Sequence, residues 1–205
     1  MIWLLIAILS YLIGSIPSGY LVARRQGIDI RQHGSRNIGA TNVLRVMGKK
    51  WGYLVFFCDS CKGFLAVKLG LLIAAHSHLS PVLGGIVAAI TCILGHNYTF
   101  WLGFKGGKGI ATSSGVVLAL FPIAVICCAG LVWIVVFYVS KYVSLASIAA
   151  AVVLPIAVFL ILAKTGAEFW TLFGFSVLIG ALGVWRHQSN IVRLMNGTES
   201  RFGKK

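Results

Sequence analysis

A chain of 205 residues that is 59% hydrophobic and only 11% charged lies well outside soluble domains, which are about a quarter charged. Its net charge of +14, from 18 Lys+Arg against 4 Asp+Glu, is not arranged as a basic stripe interleaved with exposed aromatics, so nucleic acid is excluded as a partner and positive-inside topology with anionic headgroups takes its place. The five cysteines are odd in number and sit in apolar runs, which excludes a disulfide framework; Cys58 and Cys61 lack the second pair or nearby histidine that a metal site needs.

Several runs reach the roughly 20 apolar residues of a bilayer crossing. The expected fold is therefore an all-α polytopic membrane protein, with residues 1–205 as one membrane-embedded domain. The opening "MIWLLIAILSYLIGSIPSGYLVARR" carries its positive charge after the apolar run, so it reads as a retained first helix over about 2–23 with its N-terminus outside. A basic cytoplasmic loop over 24–50 follows. Helix two is expected over about 51–75 and helix three over about 81–101, returning inward to "GFKGGKG".

The run 113–139 is ambiguous as one span. Taken whole, it would leave outside the tail "RHQSNIVRLMNGTESRFGKK", with five Lys/Arg and one Glu, against the positive-inside rule. Pro122 lacks an N–H and clashes with the preceding turn, so the run is split into a short outward helix to about 121 and a returning one to about 140. Helices six (145–163) and seven (168–185) complete about seven transmembrane helices with a cytoplasmic C-terminus. The threading puts four polar segments on the cytoplasmic face: 33–48, 95–112, 141–147 and 186–199. No internal repeat is visible.

In the first segment, "HGSRNIGATNVLR", Ser35, Asn37, Thr41 and Asn42 are neutral hydrogen-bonders. Gly34 and Gly39 permit close backbone approach, and Arg36 and Arg45 offer planar forks for a phosphate. A helix is expected to start near Ala40. In the second, Gly106, Gly107 and Gly109 bracket Lys105 and Lys108 ahead of another helix, a phosphate-cradling arrangement of free amides, a lysine charge and a helix N-terminus. It is not a Walker A loop, which would need glycine at Leu102 and Ser/Thr at Gly109. His96 at the end of helix three reads as structural.

Ser144 and Ser147 read as a cap and a packing serine, raised to candidates by the shared face. Arg186, His187, Asn190 and Arg193 recur at helical spacing, with His187 as the expected titrating group; the plain alternative is an amphipathic tail on anionic lipid. Asp59, inside helix two, is expected to pair with Lys62 three residues on, because a buried cationic pocket needs a counter-charge. Neither a two-carboxylate set for metal-assisted phosphoryl transfer nor a His-x4-Asp acyltransferase signature is present in the sequence.

Three stretches, "GSRNIGATNVLR", "GHNYTFWLGFKGGKGIAT" and "RHQSNIVRLMNGTE", together with "D-x-x-KG" at 59–63 and the serine of "YVSL", give the chain a resemblance to a known family. It resembles the bacterial acyl-phosphate:glycerol-3-phosphate acyltransferases, the PlsY family, over nearly its whole length. The resemblance implies transfer of a fatty acyl group from acyl phosphate to the 1-hydroxyl of glycerol 3-phosphate. The products are lysophosphatidic acid and phosphate, in the first acylation of phospholipid synthesis, at the cytoplasmic face of the bacterial inner membrane. It implies no cofactor, no metal, and coupling to an enzyme that forms acyl phosphate. Carried over by position, Ser35, Arg45, Lys108, His187 and Asn190 look like the polar active-site residues. Ser144 and Thr41 look like further positions of the site, and Gly103, Gly106, Gly107 and Gly109 like the glycerol-phosphate loop; from the polar segments themselves, Asn37, Asn42, Lys105 and Arg186 are expected as substrate contacts alongside them. Glu199 looks structural. Thr99 stands where the family usually has proline, which leaves the end of helix three open.

Acyl phosphate is an activated anhydride, so the site needs charge neutralisation and orientation more than a strong nucleophile. The proton acceptor is His187 or the substrate's own phosphate. The second is favoured, since the motifs supply no other group to orient the imidazole. A transporter for an organic phosphate and a non-catalytic anionic-lipid scaffold are the rival readings. The first should place polar groups at the bilayer midplane within inverted repeats; the second would need neither His187 nor Asn190.

Overall fold

The structure, a computed structural model, describes residues 1–163, 166 and 168–203. The regular elements among them are helical. The chain divides into two compact units, Met1–Leu120 and Phe121–Lys205.

The first unit begins with α1 (Ile2–Ser15) and α2 (Ser18–Arg25). The single helix expected over 2–23 is thus broken at Ile16–Pro17, where proline cannot supply the next N–H. Side chains bond the carbonyls at the break: Thr99 Oγ1 donates to Ser15 O at 2.5 Å, and Lys62 Nζ donates at 2.9 Å to Ile16 O, which also accepts from Ser18 N at 3.0 Å. A 3-10 turn at Ile30–Gln32 leads to α3 (Ala40–Met47), which starts at the expected residue and ends at Gly48 with φ 89°.

The long helix α4 (Lys49–His76) is followed by α5 (Pro81–Asn97), which opens with Ser80 accepting from Leu83 N and proline in the first turn. α5 stops at Asn97, short of the expected 101; a separate 3-10 turn covers Phe100–Leu102. Thr99 sits between them at φ −68°, a backbone angle proline also adopts. α6 (Ile110–Leu120) closes the unit.

α4 lies at the centre of this unit, packed on α1, α5 and α6. Glycine makes the approach close. A Cβ on Gly14 would overlap the Cys92 backbone, one on Gly63 the Thr112 carbonyl, and one on Gly115 the Ser60 carbonyl. Small residues at crossings are how helices gain contact where lipid removes the hydrophobic drive.

The second unit holds α7 (Ile123–Ser140), α8 (Val143–Leu162), α9 (Phe169–Arg186) and α10 (Gln188–Met195). The split at Pro122 is as expected. Lys141 makes the α7–α8 turn with φ 64°, and α8 packs between α7 and α9. Many of the large apolar side chains on these helices are exposed, including Leu131, Val135, Leu160 and Leu178. That is the surface of a chain solvated by lipid rather than water.

Five segments among the described residues are long and apolar enough to span a membrane: Ile2–Arg25, Pro81–Leu102, Ile123–Ser140, Val143–Leu162 and Phe169–Arg186. The expectation of about seven is met by composition only for these. α4 has 28 residues, about 42 Å at 1.5 Å each, but carries Asp59, Lys62 and Lys68. α6 has 11 residues, about 16 Å, half a hydrocarbon core.

Candidate active site

The segment 33–39 is folded around one side chain. Asn42 is buried on the first turn of α3; its Oδ1 accepts from Ser35 N at 2.8 Å, and its Nδ2 reaches the carbonyls of Asn37 (2.8 Å), His33 (3.0 Å) and Ile30 (3.3 Å). Gly34, at φ 58°, leaves room for that amide: a Cβ there would overlap Asn42 Oδ1. Asn37 closes its own turn onto Gly39 N at 2.8 Å. The result holds Ser35 and Arg36 at the surface, with Thr41 half-buried and Arg45 exposed on α3. Ahead of this segment the Arg31 side chain hydrogen-bonds Asp29, and this holds the Asp29 carboxyl down at about 2. The 2.7 Å ion pair anchors the start of the loop.

The glycine segment is tied to the end of α5. Gly106 N donates to Asn97 O at 3.1 Å and Gly107 N to His96 O at 3.0 Å. Gly103 and Gly109 have φ 62° and 84°, angles that favour glycine. Lys105 is exposed and Lys108 half-buried. Asn97, which nothing local in the sequence marks, is fully buried under Gly109: a Cβ on that glycine would stand 2.9 Å from Asn97 Oδ1. The segment thus combines backbone amides, a lysine and the start of α6, the elements of an anion cradle.

Beneath it lies a buried charge cluster. Lys62 Nζ is 2.7 Å from Asp59 Oδ1 and 2.9 Å from His96 Nδ1. The expected Asp59–Lys62 pair is present, with His96 as a third member.

In the second unit Glu199 gathers three of the candidate segments' side chains. Its Oε1 accepts from Ser144 Oγ and Asn190 Nδ2, both at 2.7 Å, and its Oε2 from Arg193 Nε at 2.7 Å. Burial raises the Glu199 pKa, but the three hydrogen bonds and the Arg193 charge outweigh it and hold the carboxyl below its ordinary value. The tail is folded back rather than loose, with Phe202 N donating to Lys141 O at 2.8 Å. Ser147 is a packing serine, bonded to Val143 O and accepting from Trp133 Nε1.

His187 is buried, and its Nδ1 lies 2.8 Å from Gly183 O. A carbonyl only accepts, so Nδ1 carries a ring proton toward Gly183 O. This corrects the expectation that nothing orients the imidazole: a carbonyl one helical turn back does, a partner invisible as a motif because it is backbone. Arg186 is half-buried beside it, its guanidinium 6.0 Å from the Trp185 ring centre. Among the described residues no group of three or more His, Cys, Asp or Glu is placed to hold a metal ion.

A lipid-facing chain, helical in its described elements, that presents an amide-and-lysine cradle in its first unit and a buried histidine in its second has the parts of a membrane-embedded group-transfer enzyme. Residues 4–197 match the glycerol-3-phosphate acyltransferase family. A glycerol-3-phosphate acyltransferase of Thermosynechococcus vestitus is 45% identical, covering 97% of this chain and 94% of the relative. Two crystal structures of PlsY (YgiH), an integral membrane glycerol 3-phosphate acyltransferase, are 42% identical over 98% of this chain. They cover 96% and 95% of the solved chains, with TM-scores of 0.85 for its glycerol 3-phosphate form and 0.83 for its lysophosphatidic acid form. The chain belongs to the glycerol-3-phosphate acyltransferase family, and it is an acyltransferase of phospholipid synthesis embedded in a membrane.

Proposed function

We propose that the enzyme transfers a fatty acyl group from acyl phosphate to the 1-hydroxyl of glycerol 3-phosphate, releasing lysophosphatidic acid and inorganic phosphate. What carries the reading is the likeness, over 98% of the chain, to a protein solved in a glycerol 3-phosphate form and in a lysophosphatidic acid form. These are an acceptor and its acylated product. The donor is inferred from chemistry: the polar segments offer cations and amides but no strong nucleophile with a tuned base, which suits a donor that is already activated.

The hydroxyl oxygen attacks the acyl carbonyl carbon, the carbonyl–phosphate C–O bond breaks, and phosphate departs with that bonding pair. Lys108 and the amides of 103–109 hold the phosphate of glycerol 3-phosphate, while Arg45 neutralises the donor phosphate as its charge grows and the Ser35 hydroxyl donates a hydrogen bond to it. Asn190 and His187 complete the catalytic set, with Asn37, Thr41, Ser144 and Arg186 as further contacts. The hydroxyl proton passes to the acceptor substrate's own phosphate. His187 Nε2 is the other acceptor, on a ring whose Nδ1 is held by the neutral Gly183 carbonyl. The protein acts in the bacterial inner membrane, N-terminus outside, with the polar segments and C-terminus cytoplasmic. An acyl-phosphate-forming enzyme supplies the donor.

The deciding experiment gives detergent-purified protein glycerol 3-phosphate with acyl phosphate or with acyl-coenzyme A and follows lysophosphatidic acid. Product with acyl phosphate alone supports the reading; product only with the thioester overturns the donor. Release of phosphate without acylated product would favour neither the transporter nor the scaffold and would reject the acceptor.

A further inference from the structure

Asp59, Lys62 and His96 are 1%, 6% and 5% exposed. Three charged or ionisable groups this deep are retained only where each compensates another. In its 2.7 Å ion pair with Asp59, Lys62 is the cationic member, and an ammonium has protons to give but no lone pair. Every group that meets Nζ at hydrogen-bonding distance must therefore accept. Ile16 O does so at 2.9 Å, and so must His96 Nδ1 at 2.9 Å. Asp59 Oδ1, 3.7 Å from that nitrogen, is the nearer partner of Lys62. The ring proton of His96 is thereby assigned to Nε2.

Nε2 faces the glycine segment. A Cβ built on Gly107 would overlap it, with the ring carbons on either side within 3.0 Å. The backbone of the same histidine accepts from Gly107 N at 3.0 Å. His96 therefore touches the residue before Lys108 twice, once through its carbonyl and once through its ring. The ring is held from behind by Lys62, which also closes the α1–α2 break.

We infer that His96 is a positioning residue for the segment 103–109, and that the Asp59–Lys62 pair sets its ring orientation and proton so that Gly107 and Lys108 are presented in one conformation. The pair is then more than a counter-charge for a cationic site: it is the base on which the cradle rests. The inference rests on the proposed function only in its kinetic arm.

The test uses full-length protein in detergent, as wild type, His96→Phe, His96→Gln, and a double variant Asp59→Leu/Lys62→Met that removes both buried charges together. Nitrogen-15 spectra of histidine-labelled wild type, assigned by difference with His96→Gln, should show an unprotonated Nδ1 and a protonated Nε2. A protonated Nδ1 overturns the inference. Amide exchange in peptides spanning 103–109 should quicken about tenfold in His96→Phe, with the rest of α5 unchanged; wild-type exchange there overturns it. Kinetically, His96→Phe should raise KM for glycerol 3-phosphate about tenfold with kcat and donor KM within about threefold, and His96→Gln, which can both accept and donate, should recover most of the loss. A fall in kcat at constant KM overturns the inference. If His96→Phe does not fold, the double variant supplies the same exchange comparison. If wild type makes no acylated product, the functional proposal fails while the spectral and exchange arms still decide this one.

Discussion

Asn190 Nδ2 donates to Glu199 Oε1 at 2.7 Å across nine residues of chain. This bond binds the last helix to the turn that follows it, and it puts a carboxylate where Ser144 and Arg193 also converge. Asn190 is thereby held in one orientation beside His187, by a group that itself reaches no reacting atom in the proposed mechanism.

Removing that carboxylate should cost stability before chemistry. Hydrogen bonds to charged groups are worth about 1.5–3 kcal/mol each and are not additive. Glu199→Ala is therefore expected to lose about 2–4 kcal/mol, read as a fall of several degrees in thermal unfolding in detergent, with activity falling in parallel. Glu199→Gln, which keeps one acceptor oxygen, should lose less. Unfolding midpoints unchanged in both variants would contradict the three bonds.

The same cluster makes a signed pH prediction. The Glu199 carboxyl lies below its ordinary value of 4.5 because the bonds from Ser144, Asn190 and Arg193 outweigh burial. A lowered carboxylate stabilises fully above its unfolded pKa and loses that contribution as pH falls through the folded one. Wild type should therefore lose more thermal stability than Glu199→Gln as pH drops below 4.5, and the difference between them should be flat from pH 6 to 8. A difference that grows upward from neutrality would reverse the sign.

Asn42 offers the sharpest test of the first loop. Its amide serves one N–H and three carbonyls. Asn42→Ala should strip Ser35 N and the Asn37 carbonyl of their bonds, at about 1–3 kcal/mol each where water does not replace them, while the Ile30 and His33 carbonyls keep their backbone bonds from His33 N and Arg36 N. Asn42→Asp should fail as well, since it cannot donate. Limited proteolysis should then cut within 33–39 and turnover should be lost; a protease-resistant, active variant would show that the loop holds itself.

Gly115 and Gly130 form a matched pair. A Cβ on Gly115 would overlap the Ser60 carbonyl of α4, whereas nothing lies within 4 Å of one on Gly130. Gly115→Ala should destabilise by about 1–3 kcal/mol, and Gly130→Ala should be neutral or stabilising by up to about 1 kcal/mol. Thermal unfolding of the two side by side checks the α4–α6 contact.

For the proposed chemistry, Arg45→Ala and Lys108→Ala should abolish turnover while unfolding as wild type does. Both are surface or half-buried side chains whose loss leaves no cavity. Near-normal activity in either folded variant would reject the assigned phosphate groups. For His187→Gln, an undiminished rate from pH 6 to 9 would remove the imidazole as base.

Much of this protein is legible along the chain because its physics is local. Apolar runs give the helices α7 to α9 within a residue or two of their bounds. Pro122 divides α6 from α7 by lacking a donor, Ala40 opens α3, and Asp59 and Lys62 pair because a helix brings residues three apart together. Family motifs carried the class of enzyme. The structure departs from local expectation where a distant group changes a local outcome. The break at Ile16–Pro17 is supported by Lys62 and Thr99, 46 and 84 residues away, which donate to its carbonyls.

By itself the sequence determined a helical, lipid-solvated chain, the bounds of its later helices, and which polar residues are available, since hydropathy, proline and charge act within a few residues. Only the tertiary structure decided what those polar residues touch. Asn42 turns inward to build a loop, His96 meets Lys62 and Gly107, and a backbone carbonyl orients His187. A buried hydrogen-bonding group must find a partner from whatever the fold brings near, and no spacing along the chain specifies which group that will be.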